Sequence, residues 1–250
     1  MRPFLFAANW KMHLGPAGAA KFLETFLKAW PGATDGREVW FFPPALSVAS
    51  VRRRIDGRSG LAVGVQNVHW EEQGAFTGEL SVPMVAEAGA RAVLVGHSER
   101  RHVFGETDEM CRRKVAAVLR GGLTPVLCIG ETLDERERGE TLTVVRRQLD
   151  VLAGSDPAAA ARVIIAYEPV WAIGTGKNAT PEDAADVHAA IRNHLREVGV
   201  DGSTARILYG GSVKPGNAQA LVSQEPIDGV LVGGASLDPA DWLAITQVPG

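Results

Sequence analysis

Cysteine is scarce: Cys111 and Cys128 are the only two in 250 residues, with Cys128 inside the apolar run Val126–Ile129. Two thiols without a C-x-x-C pair support neither a disulfide framework nor a thiolate metal site. The six histidines show no H-E-x-x-H pattern and no i, i+4 pairing, so no metal or other cofactor is expected. Long hydrophobic runs are missing as well. The stretch Phe4–Ala8 is too short for a signal peptide, and no window approaches the roughly eighteen apolar residues of a membrane span, so the chain reads as cytoplasmic. Charge of one sign is also lacking. With 26 basic and 29 acidic residues the formal charge is −3, which leaves no basic field for nucleic acid or a membrane surface.

What is present is a 46% hydrophobic chain with 28 glycines and 14 prolines, a composition suited to a buried core. Eight short apolar runs recur along it: Phe4–Ala8, Val39–Phe42, Leu61–Val65, Ala92–Val95, Thr124–Ile129, Val163–Tyr167, Arg206–Tyr209 and Gly229–Val232. Each is hydrophobic nearly throughout instead of alternating, as expected of parallel strands covered on both faces. Helical patterns fill the gaps. Ala19, Phe22, Leu23, Phe26, Leu27 and Trp30 make one helical face after the first run. After the sixth, Thr180, Pro181 and Asp183 read as N-cap, first-turn proline and capping-box acid, with Ala184, Val187, Ile191, Leu195 and Val198 as the stripe and Gly199 as the stop. Val115, Val118 and Leu119 precede Gly121-Gly122, and Leu142, Val145, Leu149 and Leu152 precede Gly154.

Eight strand-helix units in 250 residues is about 31 residues per unit, the size of a strand with its crossover helix. No linker interrupts them. A doubly wound open sheet is the rival, but it usually opens with a glycine-rich turn, and the first run here ends in Asn9-Trp10-Lys11. The expected fold is therefore α/β, a closed (β/α)8 TIM barrel with residues 1–250 as one domain. In that architecture function sits at the carboxyl ends of the strands.

The polar residues at those ends are Asn9 and Lys11, Gln66 and Asn67, His97, Ser98 and Glu99, Glu168, Gly210-Gly211-Ser212, and Gly233-Gly234-Ala235-Ser236. Glycine loops after the last two strands let backbone N–H groups approach an anion, which points to phosphate, although tight turns alone would also use glycine. Glu168 is a candidate base or a structural ion-pair partner. His97, at the start of a helix, would face backbone N–H groups that hold its ring neutral. A base, a neutral donor, the cation of Lys11 and a phosphate nest together suit enolisation of a small phosphorylated carbonyl compound. The long loop from Pro169 carries Trp171 and Ile173, which reads as a closing lid or as a loop packed on its neighbour. Gly174-Thr175-Gly176-Lys177 fails the P-loop pattern at Trp171 and Asn178.

Five motifs, taken together and in order, resemble the triosephosphate isomerase family over the whole chain. They are Asn9-Trp10-Lys11-Met12, Gly96-His97-Ser98-Glu99-Arg100-Arg101, Ala166 to Gly176 around Glu168-Pro169, Tyr209-Gly210-Gly211-Ser212-Val213, and Leu231 to Leu237 around Gly233-Gly234. The resemblance implies interconversion of dihydroxyacetone phosphate and D-glyceraldehyde 3-phosphate through an enediolate, without cofactor or metal. It makes Glu168 the base, His97 the neutral electrophile, and Lys11 the cation beside Asn9. Backbone N–H groups of Gly174, Ser212, Gly233 and Gly234 become the phosphate clamp. Pro169, Val170, Trp171, Ala172, Ile173, Gly174, Thr175, Gly176 and Lys177 become the lid, and Glu99 a buried supporting acid. It further implies a homodimer in which the loop from Gln66 to Glu79 enters the second subunit and Thr77 orders the partner's site. A Schiff-base enzyme using Lys11 and an inactive phosphate binder remain as alternatives.

Overall fold

The computed structural model describes residues 3–33, 36–173 and 179–248, and in it the apolar runs become parallel strands. These are β1 (Leu5–Asn9), β2 (Glu38–Phe42), β3 (Leu61–Val65), β4 (Ala92–Val95), β5 (Thr124–Ile129), β6 (Ile164–Tyr167), β7 (Ile207–Tyr209) and β8 (Gly229–Val232). Each pairs with the next, and β8 pairs with β1 through Leu5↔Gly229 to Ala8↔Val232, closing the sheet. Closure excludes the doubly wound rival, whose open sheet would have two unpaired edges.

The continuous hydrophobicity of the runs has a simple cause, since alternate residues face different apolar layers. Leu5, Ala7, Trp40, Phe42, Leu94, Val126, Cys128, Ala166 and Leu208 fill the barrel interior. Phe6, Ala8, Val39, Phe41, Val93, Leu127 and Ile165 face the surrounding helices. Space inside is tight: a Cβ at Gly64 would stand 2.4 Å from the Phe42 ring, so glycine is what admits that ring to the interior. Outside, Phe22 and Phe26 of the helix Pro16–Ala29 pack on Phe41, with Trp10 4.9 Å from Phe22. Burying each such ring stabilises by about 1.5–3 kcal/mol.

The helix readings hold with these corrections. Trp30 and Val198 each lie past the end of their helix as the C-cap residue, and Leu152 lies in a separate 3-10 turn that follows its own. Leu142 is 43% exposed, because the helix Thr141–Leu149 turns Val144, Val145, Gln148 and Leu149 inward instead. The Thr180 side chain caps Pro181–Glu197 by accepting the Asp183 N–H at 3.0 Å, but the Asp183 carboxylate faces Arg136 at 3.7 Å. Charge attraction to Arg136 has replaced the reciprocal half of the box. Among the described residues, no helix is long and apolar enough to cross a membrane.

Candidate active site

At the carboxyl end of β6 the chain delivers Glu168 into the barrel mouth, where it is 2% exposed. Its Oε2 accepts the Ser98 N–H at 3.0 Å, and its Oε1 lies 3.1 Å from His97 Nε2. Burial opposes charge on this carboxyl, but His97, the Ser98 N–H and Lys11 outweigh it and hold its pKa below the usual carboxylate range. The turn carrying His97 is equally determined. His97 caps the short helix Ser98–His102, its Nδ1 accepting the Glu99 N–H at 3.3 Å, so the ring proton is on Nε2 and points at Glu168. Here the structure qualifies the expectation of a ring held neutral. Burial pushes the His97 pKa down, yet the carboxylates of Glu168 and Glu99 more than reverse this and raise it.

Lys11 has φ +48°, a left-handed conformation that side chains other than glycine rarely adopt. It is pinned on both sides. Asn9 Oδ1 accepts its N–H at 3.0 Å, and Gln66 Nε2 donates to its carbonyl at 2.8 Å and to that of Phe42 at 2.9 Å. Its Nζ lies 2.7 Å from Glu99 Oε1, and Glu99 Oε2 lies 3.6 Å from His97. Glu99 thus touches both expected partners, but its side chain is 46% exposed and not buried, since nothing among the described residues covers that side of the mouth. Thr77, in the exposed loop tip, does not reach the site of its own chain.

Beside Glu168, the loops after β7 and β8 complete a cavity of about 610 Å3. Asn9, Lys11, His97, Glu168, Ile173, Ser212, Gly233 and Gly234 all line it. Both loops are built for close approach. A Cβ at Gly210 would stand 2.7 Å from Glu168 Cγ, and one at Gly211 2.2 Å from the Tyr209 hydroxyl, whereas a Cβ at Gly234 would meet no atom of the described residues within 4 Å. Trp10 Nε1 donates to the Ser236 carbonyl at 3.1 Å, tying the Lys11 turn to the β8 loop. Lys214, two residues beyond Ser212, also lines the cavity.

Of the lid, Pro169 to Ile173 are described, and Val170–Ala172 form a single 3-10 turn. Gly174, Thr175, Gly176 and Lys177 lie outside the described residues. Trp171 is not left in solvent: its Nε1 donates to Glu131 Oε1 at 2.9 Å, and Arg136 stacks over its ring at 4.3 Å. This root of the loop is packed on its neighbour, as one of the two readings required.

Three polar residues escaped the sequence reading. Glu131 is fully buried and also accepts the Tyr167 hydroxyl at 3.1 Å, while its carbonyl accepts the Val170 N–H. It directly follows Gly130 after β5, and a strand-end survey that included β5 would have found it. Glu106 accepts from Gly96 N–H at 2.9 Å, Arg100 Nε at 3.0 Å and Lys114 Nζ at 2.7 Å, bracing the turn into His97. Burial disfavours its charge, but these donors prevail and lower its pKa. Lys114 in turn donates to Asn67 at 2.8 Å. No spacing signal marks this pair.

The comparisons with known proteins agree with one another. The triosephosphate isomerase family model matches residues 4–248. The triosephosphate isomerase of Synechococcus sp. (strain JA-3-3Ab) is 51% identical over 252 residues, covering 99% of this chain and 95% of its own. That of Pseudomonas putida (strain GB-1) is 49% identical over the full length of both, and that of Aquifex aeolicus (strain VF5) is 46% identical over 96% of this chain and 97% of its own. A match over nearly the whole chain, on a closed eight-stranded barrel with a carboxylate and a histidine at its mouth, places this chain in the triosephosphate isomerase family.

Proposed function

We propose that the chain interconverts dihydroxyacetone phosphate and D-glyceraldehyde 3-phosphate, as glycolysis and gluconeogenesis require, with Glu168 as the base. Glu168 takes a proton from C1 of the ketone, leaving an enediolate, and returns it to C2 to give the aldehyde. His97 Nε2 hydrogen-bonds the two substrate oxygens as charge moves between them. The Lys11 ammonium, beside Asn9, offsets the negative charge of the intermediate. Backbone N–H groups of Ser212, Gly233 and Gly234, with Gly174 when the lid is closed, hold the phosphate. The observation that carries this reading is the 3.1 Å approach of Glu168 to His97 in a cavity that the glycine loops also line.

In the described state Glu168 is folded back onto the Ser98 N–H and His97. To reach substrate carbon it must exchange those bonds, each charge-assisted bond being worth about 1.5–3 kcal/mol, for contacts in the cavity. Its departure also removes the carboxylate that most raises the His97 pKa, returning the ring toward the neutral donor the chemistry needs. The test is a coupled assay of wild type and Glu168→Gln. A loss of about 10²–10⁴ in kcat is expected for removal of a general base. Equal turnover in both would defeat the reading.

The same reading takes residues 1–250 as one barrel domain of a cytoplasmic homodimer. Met12 (94% exposed) and Phe104 (66%) line a second opening of about 240 Å3 behind Lys11, His97 and Glu99. Phe76 is 42% exposed at the tip of the loop from Gln66 to Glu79, stacked 4.1 Å from His69. Apolar side chains around a gap beside catalytic groups support a partner's loop, with Thr77 at its tip, as the occupant. That occupant would cover Glu99.

A further inference from the structure

We propose that Gln148, on the outer helix Thr141–Leu149, is a positioning residue for Glu168 and for the root of the lid. The inference rests on Glu168 being the base. Gln148 is 3% exposed and does not line the cavity, yet both ends of its amide reach one residue at the barrel mouth. Its Oε1 accepts the Gly130 N–H at 2.7 Å, and its Nε2 donates to the Gly130 carbonyl at 3.3 Å.

Gly130 stands where the sheet stops. The pairing of β5 with β6 ends at Ile129↔Tyr167, and the next N–H, that of Glu168, donates back to the Ile129 carbonyl at 2.7 Å. Gly130 is then pressed against the backbone of the base: a Cβ on it would lie 1.8 Å from the Glu168 carbonyl oxygen and 3.3 Å from its Cα. The following residue, Glu131, holds Tyr167, Val170 and Trp171. One side-chain amide therefore supplies the two hydrogen bonds that a neighbouring strand no longer can. It locks the single residue lying between the backbone of Glu168 and the anchor of the lid. An apolar side chain of the same volume would fill the space but leave the Gly130 peptide groups unpartnered and free to shift.

The test uses Gln148→Met, which preserves length and removes both bonds, with Gln148→Asn, which keeps the amide but withdraws it by one methylene, as the second variant. An ångström of misplacement at a reacting centre can cost up to about a hundredfold in rate, so a fall in kcat of about tenfold is expected, with KM changed less than about twofold. A displaced lid root would cover the enediolate less completely, so the share of it that expels its phosphate instead of being reprotonated should rise as well. That partition ratio does not depend on how much enzyme is folded, so a merely structural role would leave it unmoved. In a double-mutant cycle with Gly130→Ala, the combined variant should be little worse than Gly130→Ala alone, because both act through the same residue. A fall in kcat of less than about threefold in both Gln148 variants, an unchanged partition ratio, or losses that multiply independently would overturn the proposal. Glu168→Gln run in parallel separates the readings: if it stays active the base assignment has failed, and if it is inactive while the Gln148 variants match wild type, only this inference has.

Discussion

Acidification from pH 7 toward pH 4 should destabilise the chain through His188, which no catalytic step uses. His188 is completely buried behind the cavity, its ring 6.0 Å from Tyr167 and 6.5 Å from Tyr209, the residues that precede Glu168 and the first glycine loop. Its Nδ1 lies 3.3 Å from the Pro226 carbonyl, and its buried Nε2 has no hydrogen-bond partner among the described residues. Burial therefore drives its pKa from 6.5 down to about 3, with the nearby Arg192 charge adding to the effect. The unfolded chain takes up a proton at about pH 6.5, whereas the folded chain refuses it until about pH 3. Stability is thus lost as pH falls through that interval, at about 1.4 kcal/mol per pH unit. Between pH 6.5 and 4.5 the loss is about 2 kcal/mol, since the unfolded histidine is already half protonated at pH 6.5, and this is a large share of a typical stability of about 5–15 kcal/mol.

That window separates His188 from its neighbours. His97 is raised, so its stabilisation is fully present below pH 6.5 and is lost only as pH climbs through its folded value. Glu106 and Glu168 are lowered, so their contribution is present above about pH 4.5 and is lost below it. The assay is urea unfolding at fixed protein concentration at several pH values in the window, for wild type and His188→Gln. The glutamine variant should lose the slope. Flat wild-type stability between pH 6.5 and 4.5, or the same slope in the variant, would refute the reasoning.

Two further predictions concern the cavity and its surroundings. Gly210→Ala, whose Cβ would press on Glu168 Cγ at 2.7 Å, should lower kcat, while Gly234→Ala, whose Cβ meets no atom of the described residues within 4 Å, should mainly raise KM; steady-state kinetics of the pair checks this, and matching effects would count against this division of roles between the two loops. Phe104→Asp, at a 66% exposed position, should leave the barrel folded but shift sedimentation to monomer and cut activity; a fully active dimer would remove the support for loop insertion.

Strand positions were legible because each run is short, apolar and bounded by turn residues, and β3, β4, β5 and β8 coincide with their runs to the residue. Asn9, Lys11, His97 and Glu168 were legible for a related reason: in a barrel, the residue after a strand is delivered to the mouth whatever the rest of the chain does. Legibility failed where partners come from elsewhere. Glu99 shares one helical turn with His97 in sequence, but its exposure depends on what covers the mouth. Leu142 fits the stripe of its helix, yet the helix rotates to bury Gln148, because that amide has Gly130 to bond.

The sequence by itself determined the architecture, the location of the site and the family, because periodicity and strand-end chemistry are local and survive being read one segment at a time. Only the tertiary structure decided which groups meet. Glu168 rests on the N–H of Ser98 and beside His97, Lys11 pairs with Glu99, Trp171 hangs from Glu131, and Gln148 grips Gly130. Each of these is a bond between strands or layers distant in sequence, and its strength depends on burial and separation, which no spacing along the chain encodes.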